Sequence, residues 1–379
     1  MRKWSRTLPD WIARLKRWRD RTLSDPAFQR RSLRWFFTRP IARRRMRALF
    51  DLCSGFVYSQ VLLACTRLGL FEKLGDGPRT ANELARELEL PTDSMARLLT
   101  AAASLRLVES RGERFALGPL GAALRGNPAV AMMIEHHGKL YADLLDPVAL
   151  LRDPAQPTRL RQFWAYADSE RPAELGSEPT RDYTELMAAS QALIADQVLA
   201  AYPVHRHRRL LDVGGGSGAF SLAALKRAPD LQVEMFDLPP VAARARQRFE
   251  RHGFAARARA TGGDFRCDAL PEGCDLVSLV RIVHDHDDDA VERILRGVRR
   301  AIDPGGVVLI AEPMLGTRGA EPVAAAYFGF YLLAMGQGRP RAPEEIGRLL
   351  RRTGFEKVET HRTTAPLLAR VITAQPAKN

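Results

Sequence analysis

His284, Asp285 and Glu312 offer the chain its clearest acid–base chemistry. His284 stands in Arg281-Ile282-Val283-His284-Asp285-His286-Asp287-Asp288-Asp289, directly after the apolar run Asp275–Val280, which reads as a strand. At the carboxyl end of a strand in an open α/β sheet, a side chain faces the ligand crevice. An imidazole there can take a proton from an acceptor hydroxyl. Asp285 beside it, or Glu312 at the end of the next strand (Val307–Glu312), can orient its other ring nitrogen. The acid run after His284 resembles a metal cluster. Asp287, Asp288 and Asp289 fit better as the start of the next helix, where acids complement the dipole, and no metal is expected.

A second constellation lies at Leu210–Phe220, LLDVGGGSGAF. A strand runs into Asp212, and Gly214, Gly215, Gly216 and Gly218 follow within five residues. Glycine admits positive φ and close backbone approach, and strand, glycine turn and helix together make a nucleotide site. The spacing leaves two ligands open. Gly214-x-Gly216-x-x-Ala219 suits a dinucleotide. Asp212-x-Gly214-x-Gly216-x-Gly218 suits S-adenosylmethionine in class I methyltransferases. Asp237 ends the second strand, 19 residues past Gly218, where an acid accepts both ribose hydroxyls of either ligand. Asp264 and Phe265, in Gly263-Asp264-Phe265, close the third strand. An acid there can receive an adenine amino group and the ring can cover the base, which favours S-adenosylmethionine. Arg281 lines the cofactor site or bridges the acids around it.

These residues need a doubly wound sheet to bring them together. Strands are expected at Leu231–Asp237, Arg257–Thr261, Asp275–Val280 and Val307–Glu312, with helices at 240–252, 287–302 and 343–353. Val358–Thr363 and Ala369–Ala374 read as a closing antiparallel pair. Upstream, Thr80-Ala81-Asn82-Glu83 is a capping box. A helix from Pro91 and a hairpin over 107–117 complete a winged helix-turn-helix. Its second helix carries only Arg97 and Arg106 as cations, too few for a DNA reader, so packing or dimerisation is expected and no nucleic acid. Arg47–Leu74 reads as a largely buried helix. The fold class is therefore a Rossmann-like α/β domain at 183–379 behind an all-α/winged-helix domain at 46–182.

Residues 1–45 form a separate leader. The chain has 379 residues and a net charge of +14, and residues 1–50 hold sixteen Lys and Arg against three Asp. Nearly all the excess charge sits there, and the body is close to neutral. Trp4, Trp11 and Trp18 recur every seven residues with Leu8, Ile12 and Leu15 between them, an apolar stripe on a basic helix. Such a helix suits the surface of an anionic membrane or a packing role within its own dimer. No uninterrupted run of 18 apolar residues occurs, so no spanning helix is expected. Four cysteines without metal-ligand spacing fit a reducing cytoplasm.

Over about residues 45–379 the chain resembles plant-type small-molecule O-methyltransferases, including caffeate and acetylserotonin O-methyltransferases. The likeness rests on DVGGGSG, FDLP at Phe236–Pro239, GGDF at 262–265, RIVHDHDD at 281–288 and AEP at 311–313. It implies S-adenosylmethionine as cofactor, a homodimer, His284 as general base and Glu312 as one of two flanking acids. The second acid normally lies in a GGKERT-like segment. Here that stretch is Gly336-Gln337-Gly338-Arg339-Pro340-Arg341, with Pro340 near the expected acid, so His284 lacks one brace. The stretches 36–74 and 131–152 are similar to the carotenoid O-methyltransferases of purple photosynthetic bacteria. That likeness implies the tertiary 1-hydroxyl of an acyclic carotenoid as acceptor, and peripheral attachment to the cytoplasmic face of the photosynthetic membrane. An apolar acceptor pocket would draw on Met132, Met133, Tyr141, Phe163, Trp164, Phe328, Tyr331 and Met335. The alternatives are a methyltransferase of a soluble phenol or polyketide, a nicotinamide oxidoreductase, and a DNA-binding regulator.

Overall fold

Leu210, Leu276, Val307 and Val371 face one side of a sheet, and their neighbours Leu211, Val277, Val308 and Ile372 face the other. Side chains alternate along a strand, so a strand apolar on both faces must be covered on both. A computed structural model shows how this is done. It describes residues 10–164 and 177–378, with the side chains of 177–185 and 189 outside the description. Trp4 and Leu8 of the leader lie outside the described residues. The chain divides into two compact units, Met1–Gly126 and Asn127–Asn379.

In the first unit α1 (Asp10–Ser24), α2 (Pro26–Arg34) and α3 (Arg39–Arg67) precede α4 (Leu70–Gly75). Then come β1 (Arg79–Thr80), α5 (Ala81–Glu87), α6 (Thr92–Ser104), β2 (Val108–Arg111), β3 (Arg114–Leu117) and α7 (Pro119–Arg125). The capping box forms as expected: Thr80 Oγ1 accepts from Glu83 N at 3.2 Å, and Glu83 Oε2 accepts from Thr80 N at 2.7 Å. The hairpin pairs Val108 with Leu117 and Arg111 with Arg114, and β1 adds to β3. Leu70, Leu84, Met95, Leu99 and Leu107 close the core.

The long helix differs from expectation. Only Leu63 and Cys65 of α3 are buried, whereas Leu49, Phe50, Leu52 and Phe56 stand in solvent. An 18-residue window in α3, of mean hydropathy 1.5 and 11% buried, is long and apolar enough to cross a membrane by length and composition. Interspersed small and polar residues broke up the apolar run that the sequence criterion required.

The second unit begins with α8 (Pro128–Asp143), α9 (Pro147–Arg152), α10 (Arg159–Phe163) and α11 (Ser177–Ala201). The sheet unit proper then runs β4 (Arg209–Val213), α12 (Ala219–Arg227), β5 (Gln232–Asp237), α13 (Pro239–Arg251), β6 (Ala258–Gly262) and β7 (Cys274–Val280). It continues with α14 (Asp288–Ala301), β8 (Ile302–Glu312), a π-helix at Val323–Phe328, α15 (Gly329–Met335), α16 (Pro343–Arg352), β9 (Phe355–His361) and β10 (Arg370–Pro376). The strand order is β6-β5-β4-β7-β8-β10-β9, parallel through β8 and then antiparallel. The division falls before the expected 182/183 boundary. Leu140, Leu150, Leu160 and Trp164 share a core with Tyr331, Leu332 and Met335, so these helices cluster with the sheet.

Asp212 ties this unit together. Its carboxylate is 1% exposed and accepts from Ser221 Oγ on α12 at 2.6 Å and Ser278 Oγ on β7 at 2.7 Å. Burial pushes its carboxyl up to about 6, with both hydroxyls working against the shift. Ser278→Ala leaves a buried carboxyl short of a donor and should cost on the order of 1–3 kcal/mol, measured by denaturant unfolding.

Candidate active site

Chain connections leave β4 and β7 in opposite directions, which opens a crevice at their carboxyl ends. A cavity of about 130 Å³ lies there. Its walls include the Gly214–Ser217 backbone, Asp237, Asp264, Phe265, Arg266, Arg281, Asp285, His286, Gln337 and Trp164. The turn needs its glycines for separate reasons. A Cβ on Gly214, where φ is +68°, would lie 2.3 Å from Ile282 Cδ1. Gly216 has nothing within 4 Å of such an atom, so its backbone is open to a ligand. Gly218 is not among the lining residues. Its φ is +76°, and a Cβ would meet the Phe249 ring at 2.6 Å, so it serves close packing of α12 against α13.

The expected cofactor residues divide in the same way. Asp237 lines the cavity, with Oδ2 accepting from Gly216 N at 2.8 Å and Oδ1 from Leu238 N at 2.7 Å. Burial pushes its carboxyl up to about 6 against the pull of these two amides. Asp264 and Phe265 also line the cavity. Both Asp264 oxygens accept from Arg266, at 2.8–3.1 Å, so part of the carboxylate's capacity is already used. Burial opposes the Asp264 charge, but Arg266 holds the carboxyl below its ordinary range. Asp212 does not line the cavity. Its carboxylate is spent on Ser221 and Ser278, and it braces the turn instead of meeting a ligand. Arg281 reaches the cavity with φ at +60° and donates to Ser190 Oγ at 2.8 Å.

His284 sits on a 3₁₀ turn, Val283–Asp285, and is 2% exposed. Its Nε2 lies 3.1 Å from Asp285 Oδ1. Glu312 does not hold the ring as expected: its Oε2 accepts from the His284 backbone N at 3.0 Å. His284 Nδ1 and Glu312 Oε1 are both buried and have no hydrogen-bond partner among the described residues. Burial pushes the imidazole down, but the charges of Asp285 and Glu312 outweigh it and the net direction is up. The Phe328 ring stacks on the imidazole at 5.5 Å between centroids.

His284 and Phe328 are not among the residues that line the cavity, and beyond Phe328 the packing is aromatic. Tyr327 and Tyr331 pack against Phe328, and α8 supplies His136 and His137. His136 Nε2 lies 2.7 Å from the Tyr331 hydroxyl, and His137 Nε2 lies 2.9 Å from that of Tyr327. Burial pushes His136 down to about 4, so it is neutral at physiological pH. Of the other expected pocket residues, Phe163 packs on His136 and Trp164 joins the cofactor cavity. Met335 belongs to the core, and Met132 and Tyr141 are exposed. Sequence reasoning missed His286, Arg266 and Gln337 as cavity residues. His286 edges onto Phe265 at 5.7 Å, and its place two residues after His284 was the available signal.

A Rossmann-like sheet closed by antiparallel β10 and β9, with a glycine turn and acids at the ends of β5 and β6, fits a methyltransferase of the S-adenosylmethionine-dependent class. Residues 162–356 match the O-methyltransferase domain family and residues 50–125 match the O-methyltransferase dimerisation domain. The chain belongs to this family and is an S-adenosylmethionine-dependent O-methyltransferase. It is 41% identical to the demethylspheroidene O-methyltransferase of Rhodobacter capsulatus over 337 residues, 88% of this chain and 83% of the relative. It is also 41% identical to that of Cereibacter sphaeroides over 340 residues, 89% of each chain. Human N-acetylserotonin methyltransferase in complex with S-adenosylmethionine superimposes with a TM-score of 0.73 at 25% identity, covering 88% of this chain and 98% of that one.

A ligand that donates to Asp237 needs the ionised carboxylate, so protonation competes with binding. Affinity for S-adenosylmethionine should therefore fall as pH drops through about 6. Asp237→Ala should weaken binding about tenfold or more and abolish that pH dependence, both measured by calorimetry.

Proposed function

We propose that this enzyme methylates the tertiary 1-hydroxyl of an acyclic carotenoid, with His284 as general base. The observation that carries the acceptor is 41% identity, over most of both chains, to relatives named for demethylspheroidene. The aromatic cluster beside His284 supports it. Each of its two phenols already meets an imidazole, so its hydroxyls are partnered and its rings suit a polyene.

S-adenosylmethionine supplies the electrophilic methyl group. The residues of the chain do the rest. Asp237, the Gly214–Gly216 backbone, Asp264, Phe265 and Arg281 hold and orient the cofactor. A phenol, of pKa about 10, can lose its proton ahead of attack, but a tertiary alcohol cannot, so His284 must accept the proton as the C–O bond forms. Asp285 holds the imidazolium that results. Positioning of the two reactants in a water-poor site supplies much of the acceleration.

Two surfaces on the first unit complete the reading. The exposed apolar residues of α3 lie where the match to the dimerisation domain begins, and a second copy of the chain covers them in a homodimer. Trp11, Leu15, Trp18, Trp35, Phe36 and Phe37 are all more than half exposed on a strongly basic stretch. They seat the enzyme on an anionic membrane surface, where its acceptor dissolves.

His284→Ala should abolish turnover while S-adenosylmethionine still binds. Unchanged turnover would remove His284 as base. The base works only when neutral, so kcat should fall as pH drops through a value above the ordinary histidine pKa of about 6.5. Asp285→Asn should move that limb to lower pH. The acceptor is tested with methyl-labelled S-adenosylmethionine and anionic liposomes carrying a 1-hydroxy acyclic carotenoid, beside a panel of soluble phenols. Label on the carotenoid and co-flotation of the protein support the reading. Label on a phenol alone overturns the acceptor and leaves the fold and class intact.

A further inference from the structure

The catalytic turn has a brace that the acid chemistry does not use. Arg341 lies between α15 and α16, and its side chain is wholly buried. All five of its N–H donors are engaged. Nη1 donates to the Val283 carbonyl at 2.7 Å and, at 3.4 Å, to that of Arg339. Nη2 donates to the His286 carbonyl at 2.8 Å and to Asp288 Oδ1 at 2.6 Å, and Nε donates to the same oxygen at 2.9 Å. Val283 and His286 bracket His284. The carbonyl of His284 itself accepts from Arg339 N at 2.9 Å. Gly338 passes so close that a Cβ there would lie 2.3 Å from that carbonyl oxygen, at φ +78°.

Three carbonyls of one short turn are therefore held by the segment 338–341, which contains Pro340 where a side-chain acid was expected to hold the imidazole. A buried cation is costly unless every donor is satisfied, and a planar fork is the side chain that can grip two carbonyls and a carboxylate at once. We propose that Arg341 is a positioning residue, fixing the backbone turn that presents His284 and so replacing a brace on the ring. The proposal rests on the reading of His284 as base. Arg341 also lies close enough to Glu312 to favour its ionised form, and Glu312 accepts the His284 amide. The charged groups around the imidazole are Asp285, Glu312 and Arg281. Loss of the clamp loosens the Asp285 and Glu312 contacts, which lowers the imidazole's proton affinity.

The test uses the full-length enzyme, whichever acceptor turns over in the labelling assay, and calorimetry with S-adenosylmethionine. Arg341→Met should cut kcat about tenfold or more, change the cofactor dissociation constant less than about threefold, and move the acid limb of the pH profile to lower pH. Arg341→Lys, which keeps the charge but not the fork, should recover only part of kcat. Gly338→Ala, which leaves Arg341 in place and crowds the His284 carbonyl, should lower kcat in the same selective way. If Arg341→Met does not fold, the Lys and Gly338→Ala variants decide. Unaltered kcat and pH profile, or full recovery with lysine, overturns the clamp. An active His284→Ala overturns the base itself, whereas an inactive His284→Ala beside an unaffected Arg341→Met overturns the clamp alone.

Discussion

The site depends on a carboxylate that meets no ligand. Asp212 ends β4 inside the protein, and its two hydroxyl partners come from the helix that follows the turn and from the neighbouring strand. This pins the end of β4, the start of α12 and the middle of β7 to one another. A side chain at Gly215 would lie 2.6 Å from the same carboxylate, so the turn must pass over it as bare backbone. Gly214, Gly216 and the amide that reaches Asp237 are then placed without freedom to drift. Burial of that acid carries a cost, offset by two short hydrogen bonds and by the packing they make possible.

Around that fixed point the second unit carries two kinds of surface chemistry. The strand ends offer backbone amides and carboxylates to the cavity. The π-helix, α15 and α8 offer rings, which the proposed reading gives to the acceptor. π-helical turns concentrate at functional sites because the wider turn redirects side chains, and here the turn ends on Phe328, stacked against His284. Each hydroxyl in that cluster already has an imidazole beside it, and His136 Nδ1 is the buried ring atom left without a partner among the described residues.

His284 stands at the border of the two halves, and three elements share the work of holding it. Asp285 meets the ring, Glu312 takes the backbone amide, and the segment from Gly338 to Arg341 takes the carbonyls. The buried imidazole is thus held through its main chain as well as through one ring nitrogen.

Local features were legible from the sequence because the physics behind them is local. Alternating apolar residues marked the strands, Thr80 and Glu83 marked a helix start, and closely spaced glycines after a strand marked a turn that Asp237 would face. The order of these signals was enough for the fold class, and Asp264 with Phe265 and the family resemblance added the cofactor. What the sequence by itself could not decide is which partner each polar group meets. Asp212 and Gly218 look like ligand residues by spacing, yet one is consumed by serines 9 and 66 positions away and the other by Phe249. Glu312 looks like a brace for the ring and holds the amide instead. Nothing in the sequence singles out Arg341, and only the return of the chain beneath the 283–288 turn makes it a buried fork. The exposed face of α3 shows the same limit. Its composition fits a buried helix, but what covers it is decided by contacts that no periodicity records. Hydrogen bonds and charges act over a few ångströms, and residues fifty positions apart come that close only when the sheet and its helices have packed.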